Sequence, residues 1–86
     1  MINRAGGSGV TTMRRTRLRF YAQLAPLADA TEVEVPVADP RSVKDLIESQ
    51  GVPHPEVGLI VVDDEPVGFD HRIRGGERVA VYPPLR

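Results

Sequence analysis

Few side chains in this 86-residue chain have the types and spacing that a catalytic or metal-binding site needs. The two histidines, His54 and His71, lie far apart in the sequence, and no identifiable nucleophile or paired carboxylate accompanies them. The chain contains no cysteine, which excludes a disulfide, a thiolate metal site and a thiol nucleophile. Acid–base and nucleophilic catalysis both need a partner group within hydrogen-bond reach. The sequence therefore predicts no catalytic residues and no enzyme.

Two motifs that resemble ligand sites are predicted to be turns. Asp63, Asp64 and Glu65 are consecutive carboxylates, but side chains at a hairpin tip diverge, whereas a hard cation needs oxygen ligands from several directions. Gly75 and Gly76 lack the Lys-Ser/Thr pair and the following helix of a phosphate-binding loop. We therefore expect neither a bound metal nor a cofactor.

The charges of the chain nearly cancel, with a formal net charge of −1. This balance argues against binding nucleic acid or a membrane through overall electrostatic attraction. No apolar run approaches the roughly 20 residues of a membrane-spanning helix. Residues 1–13 have no hydrophobic period and include Gly-Gly-Ser-Gly, so we predict a disordered leader, with Met13 as an alternative start. Residues 14–86 are predicted to form one domain, and the lack of cysteine suits the cytoplasm.

Several segments show the pattern of β-strands. Alternation of polar and apolar residues, the period of a half-buried strand, predicts strands over residues 16–21, 32–37 and 78–82. Pro36 has no N–H to donate, so the second of these suits the edge of a sheet. The β-branched run at residues 59–62 predicts a strand that is largely buried.

The clearest helix begins after Ser42, whose hydroxyl can cap the first turn. Val43, Leu46 and Ile47 recur at the spacing of one helix face and define an apolar stripe. Gly51 suits the left-handed position that ends a helix. A short helix with one buried face is therefore predicted between Ser42 and Gly51.

The remaining segments are a loop at residues 24–30, a short edge strand at 65–67 and a single helical turn at 69–73, capped by Asp70. The resulting order is strand, strand, helix, strand, short strand, strand. It predicts an α+β fold of the β-grasp type, a mixed sheet of four to five strands over one helix. The predicted core consists of Leu18, Phe20, Val33, Val35, Val43, Leu46, Ile47, Ile60, Ile73, Val79 and Val81.

Three segments resemble the β-grasp sulfur-carrier superfamily, which includes the small subunit of molybdopterin synthase and the thiamine-pathway carrier. These segments are residues 18–21, 42–47 and 73–81. The Tyr-Pro-Pro sequence at residues 82–84 is also similar to the diproline that precedes Gly-Gly in molybdopterin-type carriers. This resemblance implies a ubiquitin-like β-grasp.

A closer match is to the ubiquitin-like module that precedes the Mut-seven C-terminal ribonuclease domain. The opening of that module resembles residues 19–24, its helix and the next loop resemble 43–48 and 51–57, and its last segment resembles 65–83. The Gly-Val-Pro-His sequence at residues 51–54 is more specific than the β-grasp pattern alone. The resemblance implies a non-catalytic binding module associated with a ribonuclease or with RNA processing.

The last residues of the sequence favour the ubiquitin-like module over the sulfur carrier. A sulfur carrier needs a terminal glycine on a thin, flexible tail, and only glycine has no Cβ and free access to positive φ. Residues 83–86 read Pro-Pro-Leu-Arg, which is stiff and bulky. We therefore expect no adenylation or thiocarboxylation of this chain. A carrier remains the alternative if the natural chain continues to a Gly-Gly that processing exposes.

In a β-grasp, the first and last strands lie side by side and parallel at the centre of the sheet. Their outward side chains predict a ligand- or partner-binding face formed by Arg17, Arg19, Tyr21, Arg78 and Tyr82. Such a face suits a protein partner, including a ribonuclease domain, or weak binding of single-stranded RNA. The alternative is that Glu32 and Glu34 on the second strand neutralise the arginines, with Glu34 opposite Arg19.

Overall fold

The computed structural model describes residues 14–85. The predicted leader at residues 1–13 and the terminal Arg86 lie outside the described residues. The elements in chain order are β1 (Arg14–Phe20), α1 (Leu24–Ala28), β2 (Glu32–Val37), β3 (Arg41–Ser42), α2 (Val43–Glu48), a 3-10 helix (His54–Glu56), β4 (Leu59–Val62), β5 (Glu65–Val67), β6 (Arg72–Ile73) and β7 (Arg78–Tyr82).

Five strands form one mixed sheet in the order β2-β1-β7-β4-β5. The central strands β1 and β7 are parallel, and the other neighbours are antiparallel. The inward side chains of these strands and the apolar face of α2 form one buried cluster. The predicted ubiquitin-like β-grasp is confirmed, and β2 with its Pro36 is an edge strand as expected.

Helix α2 forms where the sequence predicts it. The Ser42 hydroxyl accepts a hydrogen bond of 3.1 Å from the Asp45 amide, so the cap satisfies one of the free donors of the first turn. Val43, Leu46 and Ile47 are fully buried. The helix ends before Gly51, whose φ of +95° lies in the left-handed region that favours glycine.

Two short segments differ from their predictions. Residues 24–30 are not a loop, because Leu24–Ala28 forms the helix α1. The buried Leu24 anchors this helix, and Pro26 is tolerated because the first turn of a helix has amides without acceptors. Asp29 ends the helix with a φ of +57°.

The predicted helical turn at residues 69–73 is also wrong. Arg72 and Ile73 form β6, which pairs antiparallel with β3 in a separate two-stranded ribbon. Asp70 therefore caps no helix; it lies in a turn closed by a hydrogen bond from the His71 amide to the Gly68 carbonyl. Ile73 is nevertheless fully buried, as predicted.

The predicted core is buried apart from two residues on the edge strand. Val33 and Val35 are half-buried and pack against the cluster, because β2 has no neighbour beyond it. The other nine predicted residues are buried. Further buried side chains that were not in the predicted core are Leu24, Val37, Val52, Val57 and Val62.

Candidate functional site

The five residues of the predicted face share the outer side of the sheet. The parallel register places Arg17 beside Arg78 and Arg19 beside Ala80. Tyr21 and Tyr82 follow at the next outward position and contact each other. All five line one groove, which we call the outer groove. The structure therefore brings these side chains together, while their role remains a prediction.

The two tyrosines at one end of the outer groove form a stacked pair. Their ring centroids lie 4.5 Å apart, and the ring planes differ by 7°. The Arg19 guanidinium carbon lies 5.5 Å from the centroid of the Tyr21 ring, within range of a cation–π contact. Burial raises the pKa of the Tyr82 hydroxyl, and the neighbouring Tyr21 hydroxyl raises it further. The sequence placed these rings on one face but did not predict the stack.

Ion pairs engage Arg17 and Arg19 of β1, but in a different register from the predicted one. Glu34 lies opposite Arg17, and Glu32 lies opposite Arg19. The Arg17 guanidinium binds both carboxylates, at 2.9 Å to Glu32 and 3.2 Å to Glu34. The predicted pairing of Glu34 with Arg19 is wrong by two residues. Such a shift leaves every side chain on its own face, so the hydrophobic pattern could not reveal it.

Arg78 lies next to the turn between β4 and β5. The Asp63 carboxylate accepts a hydrogen bond of 3.0 Å from the Arg78 amide, and the Asp63 amide donates one of 2.9 Å to the Arg78 carbonyl. Asp63 and Asp64 have φ values of +48° and +71°, so the predicted turn is confirmed. Among residues 14–85, the Arg78 guanidinium has no carboxylate partner, and no cluster of three metal-ligating side chains occurs.

The formal charges in the outer groove balance. Three arginines, Arg17, Arg19 and Arg78, line it together with three carboxylates. The carboxylates are Glu32, Asp63 and Asp64. A polyanion on this face would therefore meet as many repulsive charges as attractive ones.

An apolar part of the outer face was not predicted from the sequence. In β4, the inward Ile60 and Val62 are buried, whereas Leu59 and Val61 point outward. The register places Leu59 opposite Tyr82, and Val61 opposite both Ala80 and Pro66. Leu59 remains 45% exposed. The signal was present in the apolar run at residues 59–62, which was interpreted as a largely buried strand and not as a strand with an exposed apolar side.

The Gly75–Gly76 turn is confirmed, and its backbone amides donate hydrogen bonds to a carboxylate. Glu77 accepts hydrogen bonds of 2.8 Å from the amides of Arg74 and Gly75 and one of 3.1 Å from the buried Thr16 hydroxyl. Burial acts to raise the pKa of Glu77, but these donors outweigh it and the pKa lies below its ordinary value. The turn thus binds an anion supplied by its own chain.

The histidines do not form a site with each other. The Nδ1 atom of His54 lies 2.9 Å from the Glu48 carboxylate, and its ring packs edge-on against Phe69. The hydrogen bond from His54 lowers the pKa of Glu48. The backbone carbonyl of His71 accepts a bond from the Val43 amide at the start of α2. These contacts tie the ends of α2 to the neighbouring loops.

Comparison with known proteins identifies the family. The Mut7-C ubiquitin family matches residues 13–86 of this sequence. The chain belongs to the Mut7-C ubiquitin family. No curated protein matches it. Within residues 14–85, this Mut7-C ubiquitin domain has no helix long and apolar enough to cross a bilayer.

Solved structures of archaeal proteins share the fold of this Mut7-C ubiquitin domain. The small archaeal modifier protein 1 of Haloferax volcanii is 17% identical with a TM-score of 0.67, over 84% of this chain and 99% of that one. A putative molybdopterin converting factor subunit 1 from Pyrococcus furiosus is 22% identical with a TM-score of 0.65, over 84% and 99%. The H. volcanii protein HVO 2177 is 21% identical with a TM-score of 0.67, over 86% of both chains. At these identities the likeness shows the β-grasp fold alone.

After β7, the chain of the Mut7-C ubiquitin domain stays on the surface of the sheet. The Tyr82 carbonyl accepts a hydrogen bond of 2.8 Å from the Gly58 amide. A Cβ on Gly58 would lie 2.8 Å from the Pro83 carbonyl carbon and 2.6 Å from the Pro84 nitrogen. Pro83 and Pro84 are half-buried, and only at Leu85 does the chain become fully exposed.

Proposed function

We propose that this domain is a non-catalytic ubiquitin-like module that binds a protein through the outer face of its sheet. The partner we propose is a Mut7-C ribonuclease domain, which places the module in RNA processing. Membership of the Mut7-C ubiquitin family supports the choice of partner. The stacked Tyr21–Tyr82 pair, with exposed Leu59 beside it, is the observation that supports the choice of face.

The chemistry of the face favours a protein. Tyrosine and arginine dominate the binding energy of protein interfaces, where they lie at the centre of a desolvated patch. Here Tyr82 lies between Tyr21 and Leu59, and Arg78 has no carboxylate partner among the described residues. A protein partner could cover Tyr82 with an apolar side chain and form an ion pair with Arg78 through a carboxylate.

The same face is poorly suited to single-stranded RNA. The two tyrosine rings cover each other, so each has only one face left for a base. Arg17 is already bound by two glutamates. The balanced charges of the outer groove give phosphates no net attraction. These features support a protein partner over the weak RNA binding that the sequence also allowed.

The test is the affinity of the purified domain for a purified Mut7-C ribonuclease domain, measured by isothermal titration calorimetry. We expect Tyr82→Ala to weaken binding by about 2 kcal/mol or more, which is roughly thirtyfold in Kd. Arg78→Glu should weaken it as well. Leu27→Ala is the matched control, because Leu27 is 44% exposed on α1, outside the proposed face. Equal affinities for Tyr82→Ala and Leu27→Ala would refute the proposal.

The second candidate is a sulfur carrier of the molybdopterin or thiamine type. The shared β-grasp fold and the Tyr-Pro-Pro sequence at residues 82–84 favour it. Against it, Pro83 and Pro84 pack on Gly58 and the chain becomes fully exposed only at Leu85, and neither Leu85 nor Arg86 is the glycine that a carrier needs. Incubation with an activating enzyme, ATP and a sulfur donor should leave the mass of the chain unchanged. We propose a cytoplasmic location for either function, since a cysteine-free chain suits a reducing compartment.

A further inference from the structure

Three arginines, Arg14, Arg72 and Arg74, lie at or next to the turn between β6 and β7, outside the outer groove. A Cβ on Gly76 would lie 3.4 Å from the guanidinium atoms of Arg14, so this guanidinium lies over the turn. Arg74 directly precedes the turn, and Arg72 is two positions earlier. Arg72 and Arg74 are both exposed, whereas Ile73 between them is buried. We call the three arginines the arginine cluster.

Two acidic side chains near the arginine cluster, Glu77 and Asp45, have partners other than its three guanidinium groups. Glu77 accepts hydrogen bonds from two backbone amides of the turn and from Thr16. Asp45 binds Arg41, with 2.8 Å between the nitrogen and oxygen atoms. Among residues 14–85, none of the three guanidinium groups forms an ion pair. The three guanidinium groups therefore outnumber the one ionised carboxylate of the turn, that of Glu77, although the whole chain is nearly neutral.

We propose that the arginine cluster binds the phosphate backbone of single-stranded nucleic acid. The guanidinium fork matches the geometry of phosphate oxygens and keeps its charge at every physiological pH. Ile73 between Arg72 and Arg74 lies in the strand β6, so the Cα atoms of the two arginines are about 6.6 Å apart. A flexible strand with one phosphate per nucleotide can adapt to such a short row of cations. A folded protein would need a contact area of roughly 800 Å² on each partner.

The cluster lacks the groups that read bases. Residues 72–78 contain no aromatic side chain on which a base could stack. The amides of Arg74 and Gly75 already bind Glu77, so the backbone of the turn adds no donors there. Binding should therefore depend on phosphates and not on sequence. With three contacts on a single strand, the logarithm of the affinity should fall with the logarithm of salt concentration with a slope of about −2.

The experiment measures fluorescence anisotropy of a labelled oligothymidylate with the full chain, between about 50 and 200 mM salt. The double variant Arg72→Ala/Arg74→Ala should weaken binding by at least about tenfold at the lowest salt and reduce the slope by about 1.4. Neither substitution touches the Glu77 hydrogen bonds, because Arg74 contributes only its amide. An unchanged melting temperature will show that the variant is folded.

Lys44→Ala is the matched control for Arg74→Ala, because each removes one positive charge. Lys44 lies on α2, and its amine is 3.8 Å from the Glu48 carboxylate. The slope should be unchanged in Lys44→Ala and smaller in Arg74→Ala. Equal slopes for the two variants, or no binding at the lowest salt, would overturn the proposal. Stronger binding to polyglutamate than to oligothymidylate would overturn it in favour of an acidic protein segment.

Discussion

At the scale of single residues, Glu77 explains how the turn before β7 is held. The sequence shows only two glycines and a charged residue there, which is enough to predict a turn. The structure adds that the carboxylate binds the amides of Arg74 and Gly75 and the Thr16 hydroxyl across the β1–β7 pair. The same side chain that closes the turn thereby fixes it to the first strand.

The lowered pKa of Glu77 makes the stability of the domain depend on pH. Because the folded-state pKa lies below the ordinary value of 4.5, its contribution is present above that value and is lost as pH falls through the folded-state pKa. Glu77→Gln should lower the melting temperature at neutral pH. The difference from the wild type should shrink below about pH 4.5, where the unfolded-state glutamate takes up its proton. Thermal unfolding of both proteins, followed by circular dichroism from neutral pH to below about pH 4, measures this difference in melting temperature. A difference that does not change with pH would contradict the lowered pKa of Glu77.

The residues of the outer face could be named from the sequence because strands alternate strictly. Arg17, Arg19 and Tyr21 had to share a side of β1, and the β-grasp order placed β7 beside it. The ion-pair partners could not be assigned, since a register shift by two residues preserves both faces. That register depends on the connection through α1, whose helix was not predicted.

At the scale of elements, the shortest ones were the hardest to predict. Helix α1 has five residues and β6 has two, too few to show a period. Each exists because of contacts distant in sequence: Leu24 is buried in the common core, and Arg72–Ile73 pairs with Arg41–Ser42. Helix α2 was predictable because its cap, its apolar stripe and its terminal glycine all agree.

The segment that follows β7 gives a prediction about Gly58. A Cβ at this position would meet backbone atoms of Pro83 and Pro84, which cannot move away as a flexible side chain could. Gly58→Ala should therefore cost about 1–3 kcal/mol or displace the prolines from the sheet. Urea unfolding gives the stability, and proline carbon chemical shifts report the displacement.

Gly68→Ala is the control for this prediction. The nearest atom to a Cβ on Gly68 is the Asp70 carboxylate oxygen at 3.4 Å, on a side chain that can move. This variant should be neutral or slightly stabilising, because alanine reduces the freedom of the unfolded chain. If Gly58→Ala is equally harmless, the prolines do not pack on Gly58.

At the scale of the whole molecule, a single small core holds the sheet and helix together. Leu46→Ala should cost about 2–5 kcal/mol, because the residue is fully buried and its neighbours cannot fill the space. Leu27→Ala removes the same atoms from a side chain that is 44% exposed and should cost much less. Chemical denaturation of both variants compares them. Similar losses would show that the domain does not depend on the face of α2.

The proposed binding of a Mut7-C ribonuclease domain to the outer face of the sheet can be tested residue by residue. The most direct measurement is an amide chemical-shift titration of the isotope-labelled domain with the unlabelled nuclease domain. We predict that the perturbed amides cluster on the outer face, at Arg19, Tyr21, Leu59, Ala80 and Tyr82. The chemical shifts of the amides on α2, on the other side of the sheet, should not change. Perturbations confined to α2, or none at saturating nuclease, would contradict the claim.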